Sequence, residues 1–170
     1  MTGAAPLIRK ARRADRDGAL ALWHLLQEEH EAKDSRYRIS EDAASRWSTD
    51  FRSWTRAHTS SVWVAEADDR LVGLLTAHLV EPAPVYAGLP FVFVGEIVVT
   101  PDWRGHGVAG RMLGAAREWG LQLGAGDLRA GVLATNPAGR RFWERQGATD
   151  FSVTVTMPLE EPGGGADTGA

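Results

Sequence analysis

Residues 95–116 read GEIVVTPDWRGHGVAGRMLGAA, and their order decides the fold. A β-prone run ends at Thr100, Pro101 and Asp102 turn the chain, and Arg104-Gly105-His106-Gly107-Val108-Ala109 leads straight into an amphipathic helix. Glycines there let a backbone approach a ligand closely. The first N–H groups of the new helix have no internal acceptor, and with the helix dipole they form a site suited to a phosphate anion.

Outward from this stretch, the pattern alternates between periods. Residues 6–12 suit a first strand. Asp15 reads as the cap of a helix to about Ala32, and Ser40 as the cap of a second helix with Trp47, Phe51 and Trp54 along one face. The period then falls from 3.6 to 2. Residues 61–67 and 70–80 read as a hairpin closed at Asp68 and Asp69, and the proline-rich residues 81–90 as a loop. A strand over 91–100, a helix over 108–123, a strand over 127–134, a helix over 137–146 and a final strand over 151–159 complete the order βααβββαβαβ. Such a mixture of meander and crossover units predicts an α+β (mixed α/β) protein built on one central mixed sheet flanked by helices. One domain is predicted over residues 6–159, followed by a disordered tail, EEPGGGADTGA, over 160–170. The first five or six residues read as loose.

Composition excludes several classes. A length of 170 residues suits one domain with a real core. The net charge of -3 gives no global reason to expect nucleic acid or an anionic membrane as partner. With no cysteine, thiolate nucleophiles and cysteine-based metal sites are ruled out, and the histidines are scattered, so no metal is expected. No apolar run approaches the roughly 20 residues of a membrane span, and the N-terminus lacks a signal-peptide core; a cytoplasmic location is the expectation. Seven Trp residues are many for this length, and the simplest reading is core packing.

Gly105-x-Gly107-x-x-Gly110 also satisfies the dinucleotide fingerprint. Against it, residues 101–104 separate the strand from the first glycine, no acidic residue follows the next strand, and too little chain remains for a two-halved dinucleotide fold. An NAD(P)-dependent oxidoreductase is therefore the third choice.

The strand 95–100 followed by Arg104-x-x-Gly107-x-Ala109 resembles the acyl-CoA loop of the GNAT superfamily of N-acetyltransferases. Asn136-Pro-Ala-Gly-Arg-Arg-Phe142-Trp143-Glu144-Arg145-Gln-Gly147 is similar to that family's second block. The resemblance implies a sheet splayed between its fourth and fifth strands, with the pantetheine arm of acetyl-CoA paired to free backbone groups of Ile97, Val98 and Val99. It implies that N–H groups from Arg104, Gly105, His106, Gly107, Val108 and Ala109, with Gly110 behind them, cradle the pyrophosphate, and that Asn136, Phe142 and Trp143 border the cofactor. Asn136 before Pro137 is also a helix cap in its own right.

An alkyl amine with a pKa of about 10 is neutral in only about one molecule in a thousand at pH 7, so a base is useful. The resemblance implies Glu96 as that candidate base, and a backbone N–H near Val98 for the developing oxyanion. Where the family usually carries a tyrosine as general acid, this chain has Trp143, whose indole N–H cannot release a proton. The place of a catalytic glutamate in the ribosomal-protein alanine acetyltransferases is Gly131 here, which argues against that subfamily. Glu29, His30, Tyr37 and Tyr86 are candidate residues of the acceptor side. The function implied is direct acetyl transfer from acetyl-CoA to a primary amine, on a small molecule or a peptide. A catalytically weak domain that senses or carries acyl-CoA is the alternative, and a homodimer is an open assembly.

Overall fold

A computed structural model describes residues 4–159. Its five strands are β1 Leu7–Lys10, β2 Ser60–Ala67, β3 Arg70–Val80, β4 Phe91–Val99 and β5 Asp127–Ala130; its helices are α1 Arg16–Lys33, α2 Ala43–Trp54, α3 Val108–Gln122 and α4 Pro137–Arg145. The strands lie in chain order, antiparallel from β1 to β4 and parallel between β4 and β5. The predicted tail and Met1 to Gly3 lie outside the described residues.

Local chemistry accounts for most boundaries. Asp68 and Asp69 both take positive φ (49° and 59°), the backbone of a two-residue hairpin whose twist matches its strands. Asp15 precedes α1 as predicted, but its carboxylate accepts from the Arg12 N–H (2.6 Å) and is paired with Arg9 (2.7 Å) instead of capping the helix. The start of α2 moves from Ser40 to Asp42, with the Ser40 hydroxyl donating to the Asp42 carboxylate at 2.7 Å.

Two cores sandwich the sheet. Leu22, Trp23 and Leu26 of α1 with Trp47 and Phe51 of α2 pack on Val62, Val64, Leu74 and Val98. On the opposite face, Met112, Leu113, Ala116 and Trp119 of α3 pack on Trp63, Leu75, Ala77, Val92, Val94 and Val99. The Trp residues are divided between these layers. Trp47 stacks on Trp23 and Phe51, and Trp63 meets Trp119 edge-on.

One irregularity sets the geometry of β4. Thr76 pairs with Glu96, but the next residue, Ala77, pairs with Val94, which leaves Gly95 as one extra residue in the strand. The parity of the strand flips there. Val92 and Val94 face α3, and so do Ile97 and Val99, while Val98 faces α1 and α2. Without the extra residue, strict alternation would turn Glu96 into the apolar layer under α3.

The predicted sixth strand is a correction. Residues 151–159 have no regular structure, and Phe151, Val153, Val155, Met157 and Leu159 are 76 to 92% exposed. Alternation alone does not make a strand when no neighbour pairs with it, and β5 is the last strand of this sheet.

Helix α3 rests directly on β4 at Gly120, where an added Cβ would come within 2.4 Å of the Val92 side chain. We expect Gly120→Ala to destabilise the fold by about 1–3 kcal/mol through overpacking, despite the better helix propensity of alanine. Denaturant unfolding checks this.

Candidate active site

Strands β4 and β5 pair only from Phe91 to Val94 against Asp127 to Ala130. Past the Gly95 bulge the strands part, and among the described residues no strand pairs with the remainder of β4 on that side. The Thr100 N–H donates to the Val72 carbonyl (2.9 Å), so alternation turns the backbone groups of Val98 toward β3 and those of Ile97 and Val99 toward the gap. Arg104 agrees with this, since its Nε donates to the Val99 carbonyl at 2.9 Å. Two of the three expected backbone partners thus line the opening. Val98 does not, because its amide faces β3 and its side chain is buried among α1 and α2.

The gap ends at the glycine-built turn. Gly105 and Gly107 take φ of 79° and 71°, and Gly107 is the residue before α3. A side chain at either would meet no atom within 4 Å, so the space above this backbone is open, while its conformation is one that L-residues adopt only with strain. Among the described residues, no backbone acceptor takes the N–H groups of Gly105, His106, Gly107, Val108 or Ala109. Arg104 is an exception to the expected cradle: its N–H is bound to the Pro101 carbonyl (3.3 Å). The turn therefore offers donors and a dipole to an anion from Gly105 onward. Val108 contributes backbone only, its side chain being buried. His106 bonds through Nδ1 to the Arg104 carbonyl (2.9 Å).

Across the gap, Asn136 accepts from the Gly139 N–H at 3.1 Å and caps α4, with Pro137 in the first turn. Phe142 and Trp143 are half-buried, meet edge-on at 5.3 Å and pack against the α3-side core. Gly110 faces Gln146 beyond them.

Glu96 points to the opposite face of the sheet from α3. Its carboxylate accepts from the Trp47 indole N–H (3.1 Å) and from the Thr76 hydroxyl, and the same hydroxyl accepts from the Glu96 N–H (3.0 Å). Burial pushes the Glu96 carboxyl above the ordinary range, the two donors oppose this, and nearby Asp50 adds to the rise. These partners were not singled out from sequence as functional. Trp47 belongs to a stripe that reads as core, but Thr76 and His78 leave a signal: two polar residues at alternate positions on one face of an apolar strand. His78 is held by Ser60 (3.0 Å) and lies edge-on to Trp54, and burial depresses its pKa.

The acceptor-side candidates separate. Glu29 is paired with Arg104, which ties α1 to the turn. His30 lies 5.6 Å from the Tyr37 ring, and burial depresses its pKa. Tyr86 is largely exposed on the 81–90 loop, and among the described residues no side-chain hydrogen bond joins it to the others.

A mixed sheet that opens between two parallel strands, above a glycine turn whose N–H groups meet no backbone acceptor, fits the acyltransferase class the loop had implied. The chain matches the acetyltransferase (GNAT) family over residues 19–148, and it belongs to that family. Solved structures agree in fold. The tetramutant of a Bacillus halodurans protein superposes with a TM-score of 0.79 at 21% identity, covering 90% of this chain and 99% of that one. The aminoglycoside N-acetyltransferase AAC(6')-Iy, bound to the bisubstrate analog CoA-S-monomethyl-acetylneamine, gives 0.74 at 19% identity over 92% and 99%. An aminoglycoside acetyltransferase from an uncultured soil metagenomic sample, in complex with sisomicin, gives 0.67 at 17% over 91% and 97%. No curated protein matches the chain in sequence. Among the described residues, no helix is long and apolar enough to cross a membrane, and no group of three or more His, Asp or Glu could hold a metal ion.

A β-branched side chain at Gly107 is incompatible with its left-handed backbone. We expect Gly107→Val to weaken CoA binding at least tenfold in calorimetry while the circular dichroism spectrum stays that of the folded chain.

Proposed function

We infer that the protein transfers the acetyl group of acetyl-CoA directly to a primary amine carried by a small cationic molecule. The observation that carries this reading is the placement of Glu96. A carboxylate with two fixed donors and a raised pKa lies on β4, one residue before the backbone groups of Ile97 that face the gap.

The turn fits the cofactor. Its free N–H groups and unobstructed backbone suit a pyrophosphate, and the polar edge of Ile97 and Val99 suits an amide-bearing arm. Bound acetyl-CoA would supply the thioester. Glu96 takes the proton that the amine gives up as the C–N bond forms and the C–S bond breaks, and the sulfur departs as thiolate. A carboxyl raised by burial is a stronger base than an exposed one, closer to the working pH. The Ile97 N–H, fixed by the sheet and facing the gap, is the donor in this strand for the developing oxyanion, in place of Val98. Trp143 packs beside the gap and delivers no proton; the thiolate leaves without a dedicated acid.

For the acceptor, Asp50 lies near enough to act on both Glu96 and His78, and Trp54 flanks His78, so this wall joins a negative charge to aromatic faces. Such a surface attracts ammonium groups. The two aminoglycoside acetyltransferases similar in fold are bound to an aminoglycoside-derived analog and to sisomicin, both compatible with that chemistry.

The test is release of free thiol from acetyl-CoA with a panel of diamines, polyamines and amino sugars. Glu96→Gln should lower kcat/KM at least tenfold with little change in acetyl-CoA affinity, and should abolish an acid limb lying above ordinary carboxylate pKa values. Binding of acetyl-CoA without amine-dependent release across the panel would favour the sensor reading. Stability gives an independent readout. The folded pKa of Glu96 is raised above its unfolded value, so the native state holds the proton longer and stability falls as pH rises between the two. Glu96→Gln should remove this fall, leaving the variant at least as stable as the parent at pH 7 in thermal melts. Trp47→Phe withdraws one donor from the carboxylate, and we expect the acid limb to move to higher pH.

A further inference from the structure

The solvent-facing side of α2 carries a charge that the acetyl-transfer site does not use. Two adjoining concavities of about 520 Å³ each lie between the start of α1 and the exposed face of α2. Arg13 and Arg52 line both, which makes them two lobes of one groove. Arg16 lines the first lobe, and Arg56 lines the second beside the hydroxyls of Thr49 and Ser53. Two distant parts of the chain thus bring four guanidinium groups to one place.

Folding does not account for this cluster. Asp17 is the one carboxylate in the groove, and it is paired with Arg16 at 2.7 Å. Among the described residues no carboxylate makes an ion pair with Arg13, Arg52 or Arg56. Arg52 is held by a neutral partner instead, donating to the Thr49 hydroxyl at 3.3 Å. Three uncompensated positive charges therefore share one groove in a chain whose net charge is -3, and without a counter-anion they repel one another. All four arginines are exposed, so none is needed to fill a core.

We propose that this groove binds a small anion bearing a polyphosphate group. Guanidinium forks meet phosphate oxygens two at a time, and Thr49 and Ser53 supply single donors between them. Each lobe falls within the roughly 300–1,000 Å³ of small-molecule sites. Two lobes joined by Arg13 and Arg52 suit linked phosphoryl groups better than a lone one. A nucleic acid is the poorer occupant, because among the described residues no aromatic side chain lines the groove to stack a base, and the chain as a whole is acidic. An acidic peptide would want an apolar anchor pocket, and only Ala14 and Ala57 are apolar here. The groove shares no residue with the turn at 105–109, so this inference does not depend on the acetyl-transfer reading.

Amide correlation spectra of the full 18.4 kDa chain, titrated with inorganic tripolyphosphate at low salt, test it residue by residue. Shifts are expected at residues 13–17 and 49–57, saturating with an affinity that falls as salt is added. Arg52→Gln should weaken this binding about tenfold or more. Arg46→Gln, on the same helix but paired with Asp42 and outside the groove, should leave it within about twofold. Should either variant fail to fold, the wild-type shift map decides alone. Pyrophosphate against ADP then names the source: equal affinity means that the inorganic group suffices, tighter binding of ADP means a nucleotide, and either supports the site. No shift in the two segments, shifts confined to residues 105–109, or equal losses from Arg52→Gln and Arg46→Gln would overturn the proposal. A mixed-sequence oligonucleotide that binds these residues more tightly than tripolyphosphate would overturn it in favour of a nucleic-acid partner.

Discussion

The site depends on one extra residue in β4. Gly95 interrupts the pairing with β3, and two consequences follow from the same bulge. Glu96 comes to the face covered by α1 and α2, where Trp47 and Thr76 can bond it, and the strand bends away from β5 just where their pairing stops at Val94 and Ala130. Bulges both re-aim a side chain and end a ladder. Here a single insertion aims the candidate base and opens the gap beside it. Glycine suits the position because a side chain would press on the Thr76 hydroxyl at 3.0 Å and approach the His78 ring at 3.5 Å.

The division of labour between the two faces of the sheet follows from that parity change. On one face, α3 is anchored by Met112, Ala116 and Trp119 and presents its bare N-terminus at the end of the gap. On the other, α1 and α2 roof the carboxylate and carry Asp50, with Trp54 reaching toward His78. Arg104 links the layers. It bonds the last residue of β4 with its Nε and pairs with Glu29 of α1, so the anion-binding turn and the helical roof are positioned together. Glu29, expected as an acceptor contact, is also the partner of Arg104 in this link.

What was legible in the sequence was what local chemistry decides. The glycine turn, the Asn136-Pro137 cap and the Asp68-Asp69 hairpin each depend on residues a few positions apart, and each has its expected form. The central mixed sheet and the family were legible because the two blocks occur in sequence at the right places around one strand. The bulge was not, because a period-2 reading of residues 91–100 assumes alternation and gives no sign of an extra residue. Val98 came with Ile97 and Val99 from the family resemblance, but the backbone groups of successive strand residues point to opposite sides, and its amide faces β3. Trp47 escaped notice because one side chain serves two purposes: its ring packs in the core while its N–H bonds Glu96. The last strand failed differently. Its alternation was correct, but a strand also needs a neighbour, and among the described residues none pairs with it.

The most direct measurement of the central claim is to substitute Gly95 by valine and follow acetyl-CoA affinity and amine-dependent thiol release side by side. A side chain there displaces Thr76 from Glu96 while leaving the turn at Gly105 to Ala109 untouched. The account predicts affinity within about twofold of the parent and kcat/KM reduced at least tenfold. Turnover equal to that of the parent in a folded Gly95→Val protein would contradict it.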